Sequence, residues 1–145
     1  MSPVDAPGKR RAREAALQML YQCEVGRAGT AESIGSYWSS RDAGERLPDA
    51  LRQFADGIVV GTLDRRDEID VLLAAHAQNW RVERMTVIDR VVLRMAVYEM
   101  LAGPETPSKV IINEAIELAR SFSGDEAVGF VNGVLDAVRK ALRRS

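Results

Sequence analysis

Cysteine and histidine are nearly absent from this chain: Cys23 and His76 are the sole examples. No disulfide framework can form, and no zinc site of His and Cys ligands can be assembled. That usage fits a reduced, cytoplasmic compartment. No apolar run approaches the ~20 residues a membrane helix needs. The opening MSPVDAPG has no hydrophobic signal core, so residues 1–8 read as a flexible lead-in and residues 9–145 as one domain. Charge of one sign is also missing: the formal net charge is −1, so no overall basic field attracts nucleic acid, and any such binding needs a local patch. Neither a GxxxxGK[ST] loop nor a GxGxxG turn occurs. The acidic pair Asp67 and Glu68 follows Arg65 and Arg66 directly, the pattern of a solvated, salt-bridged face. No catalytic residue, cofactor or metal is expected, and the protein is not expected to be an enzyme.

What is abundant is helical periodicity, with no stretch alternating as a strand does. The pattern predicts helices over 9–25, 30–39, from Pro48 toward Gly61, from an Asp64 cap through Leu73, over 86–101, over 109–121 and from about Asp125 to the end. Breaks are expected in SRDAGERLPDA, at Asn79-Trp80, in AGPETPS and at Ser123-Gly124. Ile111, Ala115, Leu118 and Phe122 form one apolar stripe, and Ala127, Val131, Val134, Val138 and Leu142 another. The fold class is all-α, with six to seven helices.

Four cations open the first helix: Lys9, Arg10, Arg11 and Arg13. A helix N-terminus carries positive partial charge, so each cation in its first turn costs roughly 0.3–1 kcal/mol. Phosphate gains from both the N–H groups and the arginines. At 100° per residue, Ala12, Ala16, Met19 and Cys23 form the core stripe. Arg10 and Arg13 fall opposite it, with Leu17 and Tyr21 following. Guanidinium groups beside a phenol ring suit single-stranded RNA, while a solvated face and simple packing of Leu17 and Tyr21 stay open as the alternative. Phe130, beside Gly129, sits off the main stripe of the last helix and either stacks on a ligand or seals the core rim. Arg139, Lys140, Arg143 and Arg144 read as solubility and capping groups. Arg94, Glu99, Asn113, Glu114 and Asn132 interrupt apolar stretches, and an internal hydrogen-bonded network joining the last three helices is expected from them.

Three stretches, KRRAREAALQMLYQCEVG, NWRVERMTVIDRVVLRMAVYEML and PSKVIINEAIELARSFSGDEAVGFVNGVLDAV, together resemble the bacterial NusB antitermination family. They span most of the chain and leave about residues 27–63 loosely determined. The resemblance implies two packed, roughly three-helix subdomains and no catalysis. It also implies binding of boxA RNA from ribosomal RNA operons together with NusE, a small-subunit ribosomal protein, within an RNA polymerase complex containing other Nus factors. By the same resemblance, RNA is met by Lys9, Arg10, Arg11 and Arg13, with Tyr21 nearby, and by Glu126 and Phe130. Gly129 stands where some relatives have a lysine, so a phosphate contact is not available there. Asp89 falls on the surface that meets NusE. Family members include monomers and homodimers, and both states stay open. Two other readings remain: a substrate-recognition domain of an RNA methyltransferase, which would continue into a cofactor-binding α/β domain, and a plain oligomerisation module.

Overall fold

A computed structural model describes residues 6–27, 29–41, 47–77, 85–103 and 105–145, and among these it holds seven helices and no strand. Helices α1 (Ala6–Gly26), α2 (Thr30–Ser39) and most of α3 (Asp49–Asp64) belong to a first compact unit, Met1–Gly61. Helices α4 (Arg66–His76), α5 (Val87–Ala102), α6 (Ser108–Phe122) and α7 (Ala127–Ala141) belong to a second, Thr62–Ser145. The all-α expectation therefore holds, with four helices rather than three in the second unit. No helix among the described residues is long and apolar enough to cross a membrane.

In the first unit, α1 packs on α2 through a buried arc wider than the expected stripe. Ala15, Leu17 and Leu20 are buried beside Ala12, Ala16 and Met19, whereas Cys23 is only half-buried. Leu17 is thus a core residue. The helix starts at Ala6, so Ala6–Gly8 form its first turn instead of a lead-in, and residues 1–5 lie outside the described residues. The Pro48 carbonyl accepts from the Leu51 and Arg52 amides, so the proline precedes α3 by one residue. Asp64 closes α3 instead of capping the next helix, whose N-cap is Arg65.

In the second unit α5 is central. Val91 through Val97 are all buried, because α4, α6 and α7 each pack against it. A helix covered on several sides needs no polar face, which explains why its sequence is apolar nearly all round. Thr86 caps it, accepting from the Asp89 amide at 3.1 Å. Gly124, with φ +126°, turns the chain out of α6, and its amide donates to the Ala119 carbonyl at 2.9 Å. The stripe of α6 holds through Leu118, while Phe122 at its end is exposed. The breaks expected at Asn79-Trp80, over residues 42–46 and at Pro104 lie outside the described residues.

The expected polar network is corrected at its two asparagines, and Arg94 has a partner outside the last three helices. Arg94, 8% exposed, reaches back to α4, where Nε and Nη2 donate to the two carboxylate oxygens of Asp70 at 2.8 and 2.9 Å. Asn113 and Asn132 are exposed, so neither is held in an internal network. Arg144 is no simple solubility group either. It donates to Ser108 Oγ at 2.8 Å and to the Met100 and Thr106 carbonyls, fastening the chain end to the α5–α6 connection.

Candidate nucleic-acid interface

The basic cluster of α1 divides into an inner and an outer pair. Because α1 begins at Ala6, Lys9 closes its first turn, while Arg10, Arg11 and Arg13 fall in the second. The dipole penalty fades beyond the first turn, so the strain expected from the sequence falls mainly on Lys9. Arg13 is 4% exposed, and its guanidinium lies 5.3 Å from the centroid of the Phe54 ring on α3. Lys9 Nζ lies at 5.3 Å from the same ring and is half-buried. A long cationic side chain buries its stem wherever an aromatic surface receives it. Arg13 is thus corrected from an outward residue to a packed one.

Arg10 and Arg11 are exposed. Tyr21 is half-buried and, at 100° per residue, falls about 20° from Arg10. It lies roughly 16 Å further along the helix axis. Guanidinium charge and a phenol ring therefore share one outward face of α1, which can hold phosphate at one end and a base at the other.

A second group lies in the other unit. Phe130 on α7 is half-buried and borders a cleft of about 310 Å³ lined by His76 and Ala77 of the α4 end and by Gly129, Gly133 and Val134. Gly129 is exposed, and a Cβ there would meet nothing within 4 Å. Glu126 is the exposed N-cap of α7 and forms no side-chain cap bond. Its carboxylate folds back over Gly124, 3.2 Å from where a Cβ would stand; that exposed side chain can give way, so it is the φ of +126° that favours glycine there.

Asp89 sits in the first turn of α5, where the dipole favours an anion. Its Oδ1 is buried without a hydrogen-bond partner. Leaving such an acceptor unpaired costs about 1–3 kcal/mol.

Sequence reasoning passed over one feature of the first unit. Arg41 lies over the Tyr37 ring at 4.1 Å, and Tyr37 meets Trp38 edge-on, centroids 4.9 Å apart. The signal was present in YWSSR, where an arginine follows a tyrosine by one helical turn.

As a class, then, this is an all-α protein that presents exposed arginines and half-buried aromatic rings as its candidate binding groups. Among the described residues no group of His, Cys, Asp and Glu is placed to hold a metal. The sequence profile of the NusB family matches residues 10–140, and the chain belongs to that family. The transcription antitermination protein NusB of Myxococcus xanthus is 47% identical over 137 residues, covering 94% of this chain and 97% of that protein. Among solved structures, T. maritima NusB matches with TM-score 0.80 at 31% identity, covering 91% of this chain and 90% of that one. A complex of antitermination factors NusB and NusE with dsRNA contains a chain matching with TM-score 0.84, 94% of this chain and 99% of that one being covered. Its 21% identity speaks for the fold alone. The family is one of antitermination factors, not of enzymes, as the sequence led one to expect.

Proposed function

We propose that this chain is a non-catalytic antitermination adaptor of the cytoplasm. It binds boxA RNA of ribosomal RNA operons jointly with NusE and joins RNA polymerase with other Nus factors. The carrying observation is the near full-length match to a transcription antitermination protein. A solved neighbour of the same fold is in complex with NusE and dsRNA. Arg10 and Arg11 supply phosphate affinity, Tyr21 and Phe130 offer rings to unstacked bases, and Glu126 accepts from base or sugar donors. Asp89 lies on the surface that meets NusE. A formal charge of −1 suits shared recognition, because this chain alone has no overall basic field with which to coat RNA indiscriminately.

The test is fluorescence anisotropy of the chain with NusE on labelled boxA RNA against a scrambled oligonucleotide. Preference for boxA is expected. Arg10→Ala should weaken binding and flatten the salt dependence by about 0.7 in log–log slope. Equal affinity for the two oligonucleotides would overturn the reading.

A further inference from the structure

A groove of about 140 Å³ runs between α1 and α2 in the first unit, lined among others by Arg11, Glu14, Gln18, Tyr37 and Arg41. Its floor is ordered from below. Trp38 is 5% exposed, donates Nε1 to Asp56 Oδ1 at 2.7 Å and braces the Tyr37 ring edge-on. Arg41 lies over that ring, and its Nη2 donates to Gln18 Oε1 at 3.0 Å. The guanidinium is thereby held on one side by an aromatic face and at its edge by an amide. A planar cation fixed this way is a stacking platform, since nucleobases stack on arginine planes as they do on aromatic rings.

Two further groups at the groove carry opposite charge. Arg11 is exposed and Glu14 half-buried, and neither makes an ion pair or hydrogen bond with another described residue. They stand one helical turn apart without pairing, so the groove offers a cation, an acceptor and a flat surface together. An acidic peptide would satisfy Arg11 but offers no flat ring to the Arg41–Tyr37 surface. A nucleotide matches all three, because its phosphate is anionic, its base edge carries N–H donors and its ring is flat. The groove is also continuous with the outward face of α1: Arg11 follows Arg10, and Glu14 and Gln18 fall on the arc between Arg11 and Tyr21 at 100° per residue.

We propose that the α1–α2 groove is an additional nucleotide subsite. It takes one base of a single-stranded RNA on the Tyr37–Arg41 stack, with a base donor at Glu14 and a phosphate at Arg11. The inference rests on the RNA-binding reading above and lengthens the RNA footprint beyond the basic turn of α1.

The experiment uses the full chain with NusE and a labelled single-stranded RNA carrying boxA and several flanking nucleotides. Arg41→Lys keeps the charge and removes the plane. It should weaken binding about fivefold or more and leave the salt slope unchanged. Tyr37→Leu should do the same. Arg11→Ala should weaken binding and also lower the slope by about 0.7. Melting curves on each variant separate lost binding from lost fold. Parent-like affinity in both Arg41→Lys and Tyr37→Leu, while Arg10→Ala binds weakly, overturns the subsite and leaves the adaptor reading standing. Failure of the parent to prefer boxA, with no effect of any variant, removes both. Displacement of the RNA by a polyglutamate peptide that loses its effect in Arg41→Lys would assign the groove to an acidic partner and overturn the nucleotide.

Discussion

Arg13 and Phe54 form a packed cation–aromatic pair, 5.3 Å from guanidinium to ring centroid, with Arg13 4% exposed. The pair separates two roles that one basic cluster would otherwise blur. Arg13→Ala removes both the stem packing and the ring contact and should cost about 2 kcal/mol. In a chain of this size that lowers Tm by about 4–8 °C. Arg10→Ala, on the exposed face, should leave Tm within a degree or two while weakening RNA binding. Calorimetry of the two variants side by side checks this, and equal melting temperatures would remove the assignment.

Arg94 and Asp70 make a largely buried ion pair, Asp70 keeping 28% side-chain exposure. Asp70→Ala removes the carboxylate that accepts two hydrogen bonds from the buried Arg94 guanidinium and should destabilise by about 2–3 kcal/mol. The double change Arg94→Met with Asp70→Leu should recover most of that loss, because both members of the pair are then apolar. Urea unfolding of the two single variants and the double variant gives the coupling, and strictly additive costs would show that the pair is not a unit.

Arg27 follows α1 with φ 55°, a conformation that burdens any residue with a Cβ. Arg27→Gly should stabilise the protein by about 0.5–1 kcal/mol. An unchanged or lower urea midpoint would contradict the strain.

Arg144 ties the chain end to Ser108 and to the Met100 and Thr106 carbonyls. Arg144→Ala should speed amide hydrogen exchange around residues 105–108 and cost about 1–2 kcal/mol. Exchange identical to the parent at those amides would sink the tether.

The Asp136 carboxyl titrates below its ordinary value of 3.8, chiefly through hydrogen bonds from Arg139 and then from Lys140. A carboxyl lowered on folding contributes stability that is present above the unfolded value and is lost as pH falls through the folded one. The pair lies at the surface, so that contribution is small. An NMR titration should place the midpoint below 3.8, and Arg139→Gln should raise it. A midpoint unmoved by that change would exclude Arg139 as the cause.

Much of the fold was legible because helix limits are local matters. The Thr86 cap, the Gly124 turn and the apolar spacing of α6 and α7 each act within a few residues. Apolar period and the Pro and Gly breaks therefore placed most helices to within a residue or a turn, although the Asp64 cap failed. The candidate site was legible only in part. Arg10 and Arg11 do face outward, but Arg13 could not be separated from them by its own helix, because its burial depends on Phe54 from another one. The Arg41–Tyr37 stack lay in the segment whose pattern was weakest.

The order of residues alone fixed the all-α class, the helix spans and the family, since backbone hydrogen bonds and apolar period are set by near neighbours. Tertiary structure alone decided which cations are packed and which are presented, and which polar residues pair inside. Arg94 met Asp70, 24 residues away, and Asn132 met solvent. The cause is physical: a flexible charged side chain has no fixed burial of its own, and takes it from whatever surface the folded chain brings alongside.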